Sequence, residues 1–137
     1  MLRKDVKVEM ISHVPLFATC SKTELRKIAS LADEIDLPAG TRLTKEGASG
    51  KEFVVIVKGG ADVIRRGKKL RSLGNGDFLG EIALITGTPR TATVTTTEPT
   101  RALVIAAPAF RTLLRNTPSM QLKVLDALAS RLPPETG

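Results

Sequence analysis

From residue 33 to residue 106 the chain breaks at turns about every eight to twelve residues. The segments EIDL, TRLT, EFVVIV, ADVI, KLRSL, TATVTTT and RALVIA are short. Between them stand Pro38-Ala39-Gly40, Glu46-Gly47, Gly59-Gly60, Arg66-Gly67 and Gly74-Asn75-Gly76-Asp77. Many short strands punctuated by glycine turns predict a mainly β fold: a sandwich, roll or barrel. The threonines between positions 91 and 97 suit a pleated strand better than a helix, because their branched side chains pack well on that surface.

Helical periodicity brackets this region. In SKTELRKIASLA, residues 21–32, Leu25, Ile28, Ala29 and Ala32 recur at helical spacing, and Ser21 and Glu24 have the spacing of a capping box. A further helix is expected over about 5–13. After residue 106, Phe110, Leu113 and Leu114 form a short apolar face. Thr117 and Pro118 then open a longer helix with Leu122, Leu125, Ala129 and Leu132 along one side, stopped by Pro133-Pro134. The expected organisation is one domain over 1–137. It has helices at about 5–13 and 21–32, a β region over 33–106 and two helices over 107–132.

Composition removes several function classes. A chain of 137 residues with 42% hydrophobic content folds as a globular domain without metal or disulfide. No apolar run approaches the roughly 18 residues that span a bilayer, and the charged start MLRKDVKVEM does not read as a signal peptide. Cys20 is the single cysteine, so no internal disulfide forms, and a cytoplasmic location is expected. His13 is the single histidine, which excludes zinc sites built on several His and Cys and leaves no second histidine for a nucleophilic triad. GASGKE, 47–52, lacks the spacing of a phosphate loop, and GNGDFLG, 74–80, is one residue too long for a dinucleotide fingerprint. No enzyme activity, no cofactor and no metal are expected. The net charge of +7 favours anions in general. The basic residues are scattered and Trp and Tyr are absent, so no direct nucleic-acid partner is expected. The densest basic run, IRRGKKLR at 64–71, reads first as a solvated hairpin.

One stretch fits none of these bland readings. FLGEIALITGTPRTATV, 78–94, sets a glutamate among apolar residues and runs an arginine into a strand. Gly80 permits a sharp turn and close approach to a ligand. EIAL can form one helical turn whose free amides suit an anion. Arg90 offers a planar fork for phosphate, and Glu81 accepts from a hydroxyl such as a ribose 2′-OH. Together these describe a nucleotide sugar-phosphate site; the alternative is that Glu81 and Arg90 pair with each other or with surface partners and that Gly80 is an ordinary turn glycine.

The stretch GDFLGEIALITGTPRTATV closely resembles the phosphate-binding cassette of cyclic nucleotide-binding domains, of the catabolite-activator and protein kinase A regulatory-subunit type. LPAGTRLTKEGASGKEFVVIVKGGADVI, 37–64, is similar to the glycine-turn framework that precedes the cassette in that family. The resemblance covers about residues 14–132. It implies an eight-stranded β-roll, jelly-roll-like, with flanking N- and C-terminal helices. It implies that the ligand is cyclic AMP or cyclic GMP. Gly80 and Glu81 match the cassette glycine and the ribose carboxylate, and Arg90 matches the phosphate arginine. Ile82, Ala83 and Thr91 supply amides beside the phosphate. Val63, Leu70 and Leu73 match base-facing positions. Leu79 stands where many members carry a small or aromatic residue, and where catabolite-activator-like members carry an apolar one.

The resemblance also implies a switch. The phosphate draws the cassette inward, the hinge between the last two helices moves, and the last helix closes over the base. Leu128, Arg131 and Leu132 are the lid candidates. The style of the chain looks bacterial. Members with Ala at the Thr91 position tend to prefer cyclic AMP and those with Thr or Ser often accept cyclic GMP. The expectation leans to cyclic AMP with cyclic GMP cross-binding. No helix-turn-helix follows the last helix, so the expected partner is an unidentified effector protein or domain, with a homodimer through the C-terminal helix as a further expectation. The alternatives are a ligand-free interaction module on the same roll, a regulatory fragment of a larger protein, and a cupin-type metal enzyme.

Overall fold

The computed structural model describes residues 3–14, 17–80 and 89–130. Two helices come first, α1 (Lys4–Ser12) and α2 (Lys22–Leu31). The strands β1 (Asp33–Leu37), β2 (Arg42–Thr44), β3 (Glu52–Lys58), β4 (Ala61–Arg65), β5 (Lys68–Leu73), β6 (Phe78–Leu79), β7 (Thr93–Thr96) and β8 (Thr100–Ala106) follow. Two helices close the chain, α3 (Ala107–Asn116) and α4 (Pro118–Ser130). The strands form two antiparallel four-stranded sheets, ordered β1-β8-β3-β6 and β2-β7-β4-β5. The turn spacing predicts a mainly β fold, and the family resemblance implies a roll with helices at both ends; this is the observed architecture. The helices at 5–13 and 21–32 are each within one residue of expectation.

Local chemistry sets the elements. Ser21 Oγ accepts from the Glu24 amide at 3.1 Å, and the Ser21 amide donates to Glu24 Oε1 at 2.6 Å, completing the capping box. Lys7 Nζ donates to the Ala32 carbonyl at 3.0 Å and so fastens α1 to the end of α2. The β4–β5 hairpin turns through Arg66 and Gly67, both at positive φ (53° and 76°). That is the conformation a two-residue turn needs to follow strand twist. The segment Phe78–Leu79, expected as part of a loop, is instead a short strand. Its register pairs Val54 with Leu79 and Val55 with Phe78.

Two cores lie on opposite faces of the β1-β8-β3-β6 sheet. In β3, Phe53 through Ile56 are all buried, and so are Ala102 through Ile105 in β8. Alternation sends Phe53, Val55, Leu103 and Ile105 toward the helices, where they meet Ile11, Phe17, Ile28, Phe110, Leu113 and Met120. Val54, Ile56, Ala102 and Val104 point between the sheets, against Val63, Leu73, Leu79 and Val94. All four phenylalanines join the helical core. Phe53 stacks on Phe110 with centroids 4.5 Å apart, meets Phe17 edge-on at 6.3 Å and tilts toward Phe78 at 5.7 Å. Rings used this way are not a platform for stacking nucleic-acid bases.

The last helix turns a different face inward from the one its leucines suggest. Met120 and Val124 are buried, whereas Leu122 and Leu125 are 67% and 61% exposed and Ala129 is also exposed. The link at the buried Thr117 decides this. It sets the helix so that positions i and i+4 beginning at Met120 sit over Phe110 and Leu113. Gln121 Nε2 fastens the corner by donating to the Leu114 carbonyl at 2.7 Å and the Arg115 carbonyl at 3.3 Å. Phe53→Ala removes the ring that the other three aromatics share. It should cost about 3–5 kcal/mol, read as a lowered urea midpoint by far-UV circular dichroism.

Candidate nucleotide-binding cleft

The inter-sheet core opens at one end into a cleft of about 460 Å³. Val63 and Leu73 line its wall from β4 and β5, Leu79 from β6, and Ala92 and Val94 from the approach to β7 and that strand itself. Thr44, Gly80, Pro89, Arg90 and Thr91 supply the polar side, and Arg65, Leu70 and Arg71 stand on the hairpin. An apolar wall with a few convergent polar groups is the usual make-up of a small-molecule site.

Arg90 is the centre of the polar side. It is only 8% exposed. Its backbone is clamped by the β2–β3 loop: the Arg90 amide donates to the Ala48 carbonyl at 2.8 Å, and the Gly47 amide donates to the Arg90 carbonyl at 2.9 Å. Its Nη2 donates to the Glu52 carbonyl at 2.6 Å. Nε is buried and finds no hydrogen-bond partner among the described residues. Burial pushes the guanidinium's pKa down, opposed by the charge of Glu52. Among the described residues the guanidinium is thus a buried group with Nε left without a partner.

Gly80 makes room for that cation. It sits at φ 102°, which disfavours any side chain. A Cβ there would lie 2.5 Å from Arg90 Nη1 and 2.6 Å from the Glu52 carbonyl oxygen. The glycine is therefore a requirement of the arginine's position as well as of the turn. The turn before β6 is set by Asp77, whose carboxylate accepts from the Gly74 amide at 2.7 Å and whose carbonyl accepts from the Ile56 amide at 2.8 Å.

Seven of the residues expected at a site line this one cleft: Gly80, Arg90, Thr91, Val63, Leu70, Leu73 and Leu79. Glu81, Ile82 and Ala83, with the helical turn expected at EIAL, lie outside the described residues, as do Arg131 and Leu132. Leu128 lies in α4 and its side chain is outside the described set. Sequence reasoning missed Thr44, Arg65, Arg71, Pro89, Ala92 and Val94. Strand alternation carried part of the signal, since Arg65 shares a face with Val63 and Arg71 with Leu73. Leu70 breaks that alternation and lines the cleft nonetheless. The β4–β5 register shifts between Val63, opposite Arg71, and Ile64, opposite Lys69, so Leu70 is the extra residue of a bulge.

Neither Cys20 nor His13 lines the cleft. Burial, with Glu24 adding to it, pushes the Cys20 thiol up to about 11, so it stays protonated at neutral pH. His13 is exposed at the end of α1. Among the described residues no group of three or more His, Cys, Asp or Glu is placed to hold a metal ion.

The fold and cleft define a roll-type small-ligand domain whose polar pole is a buried arginine. Residues 34–117, more than half of the chain, match the cyclic nucleotide-binding domain family, and the chain belongs to that family. It is 31% identical over 114 residues to the cAMP-dependent protein kinase regulatory subunit of Aspergillus fumigatus, an alignment covering 82% of this chain and 28% of that protein. The chain thus spans under a third of the length of that curated relative. Among solved structures, the regulatory domain of Toxoplasma gondii PKA, in co-crystal with cAMP, superposes with a TM-score of 0.83 at 22% identity, covering 95% of this chain and 51% of that one. The catabolite activator protein of Thermus thermophilus superposes at 0.78 and 24% identity, covering 85% and 57%. These relatives are fungal, protozoan and bacterial, so the bacterial style read from the sequence is not singled out.

Gly80→Ala places a methyl group where the guanidinium now lies and adds backbone strain of about 1–3 kcal/mol. The expected outcome is a lower melting temperature together with at least a tenfold loss of nucleotide affinity, checked by thermal melts and calorimetric titration.

Proposed function

We propose that this chain is a sensor for a cyclic purine mononucleotide, which it binds without transforming and which shifts the position of its last helix. The observation that carries the reading is the buried Arg90, with Nε unpartnered among the described residues, facing a cleft beside a glycine that no other residue can replace. A singly charged cyclic phosphate matches that group in sign, size and donor geometry. Ile82 and Ala83 amides join it at the phosphate, and Glu81 takes the ribose hydroxyl. The base lies along Val63, Leu70, Leu73 and Leu79. The cAMP-dependent relatives and the cAMP-bound neighbour support this ligand class, and their regulatory roles support a non-catalytic one.

The switch follows from linkage. A ligand shifts an equilibrium only by binding one state better than the other. Phosphate at Arg90 and a lid formed by Leu128, Arg131 and Leu132 supply that difference when α4 closes over the base. The exposed Leu122 and Leu125 then offer an apolar stripe to an effector or to a second copy of the chain. We place this single domain, 1–137, in the cytoplasm. Among the described residues no helix is long and apolar enough to cross a membrane.

Arg90→Ala tests the anchor. Calorimetric titration with cyclic AMP and cyclic GMP should show wild-type binding and a loss of about 2–5 kcal/mol in the variant, with the melting temperature kept. Absence of binding by the wild type at millimolar ligand overturns the reading.

Base choice turns on Arg71 and Thr91. Arg71 is donor-only and lines the base side of the cleft. Guanine offers O6 and N7 as a pair of acceptors, whereas adenine sets an amino group beside N7. This observation favours guanine acceptance more strongly than Thr91 alone did, and cyclic GMP becomes at least an equal ligand to cyclic AMP. Arg71→Ala should reduce cyclic GMP affinity about tenfold and cyclic AMP affinity by less than about threefold. Thr91→Ala should cost on the order of 1 kcal/mol, again mainly for cyclic GMP. Competition titrations with both nucleotides read the two ratios.

A further inference from the structure

The cleft has two walls that belong to different parts of the chain. One is the segment carrying Arg90 with its clamp, residues 47–48 of the β2–β3 loop. The other is the β4–β5 hairpin carrying Val63, Arg65, Leu70 and Arg71. The β4–β7 pairing joins them as far as Ile64 and Thr93, and beyond that pair a side chain ties the hairpin tip to the loop. Glu46 Oε1 accepts from the backbone amide of Arg66 at 3.0 Å, at the very tip of the hairpin. The Glu46 amide donates to Thr93 Oγ1 at 3.0 Å, three residues beyond Arg90. Ala48 N donates to the Lys45 carbonyl at 3.0 Å, so the segment is a closed turn and not a slack loop. The next residues, Gly47 and Ala48, are those that hold the Arg90 backbone. Arg66 is the non-glycine residue at positive φ among the described residues, and its amide faces this carboxylate. The hairpin's cations Arg65, Arg66, Lys68 and Lys69 are exposed.

We propose that Glu46 is a positioning residue that ties the base-side hairpin to the loop clamping the anion anchor, setting the width of the cleft between Arg90 and Leu70/Arg71. The proposal rests on the cyclic-nucleotide reading for its ligand. Its geometry stands on these five hydrogen bonds alone. The consequence has a sign that plain electrostatics does not predict. Deleting a carboxylate near an anion site strengthens anion binding if charge alone matters. Deleting the tie frees the hairpin and weakens it, because the base contacts must then be ordered on binding.

Glu46→Ala and Glu46→Gln separate the two effects, since the glutamine carbonyl keeps the acceptor and discards the charge. Calorimetry with cyclic GMP should give the order Gln equal to or tighter than wild type, and Ala about three- to tenfold weaker. Amide exchange without ligand should rise at both Arg66 and Gly47 in the alanine variant and stay low in the glutamine variant. An alanine variant as tight as wild type, or a glutamine variant as weak as alanine, overturns the proposal. If wild type binds neither cyclic nucleotide, the functional reading fails. The exchange experiment then judges the tie alone, and unchanged exchange at Arg66 and Gly47 in the alanine variant overturns it.

Discussion

A guanidinium taken out of water needs partners on all its faces, and the structure around Arg90 is arranged by that need. Isolated burial of a cation costs several kcal/mol even after relaxation. The Glu52 carbonyl satisfies one nitrogen, the β2–β3 loop holds the backbone on both sides, and Gly80 withdraws the methyl group that would collide with it. Arg90 lines the cleft, and among the described residues its Nε has no partner. The loop that sequence inspection dismissed as a false phosphate loop grips this arginine by its backbone through Gly47 and Ala48.

The double use of one sheet explains how such a site can act as a switch. β3 and β8 are buried on both faces, with alternate residues belonging to the ligand-side core and to the helix-side core. Leu79 pairs with Val54 on one face while Phe78 meets Phe53 on the other. A displacement of the cassette start at Gly80 is therefore felt two residues earlier by the aromatic cluster that seats α3. Packed interiors respond to such displacements by discrete repacking.

The C-terminal helix shows how a sequence face can mislead. Leu122, Leu125 and Ala129 form an apolar stripe, yet the buried side is Met120 and Val124. A helix has one inward face, and the corner at Thr117, stapled by Gln121, selects it. The side left outside carries Leu122 and Leu125, both exposed.

Local chemistry written in the chain determined a good deal: the turn spacing that demands short strands, the Ser21–Glu24 cap, the Arg66-Gly67 turn, and the GDFLGEIALITGTPRTATV stretch that marks the family. Each is a property of residues within a few positions of one another, and such properties survive without knowledge of the fold. Tertiary structure alone decided the rest. Leu70 lines the cleft because the bulge it forms in the β4–β5 pairing breaks the hairpin's alternation. Glu46 reaches Arg66 across twenty residues. Gly80 is irreplaceable because of an arginine and a carbonyl that arrive from two other segments. Those facts depend on which strands become neighbours. Strand neighbours are chosen by the burial of whole faces at once, and no local spacing encodes that choice.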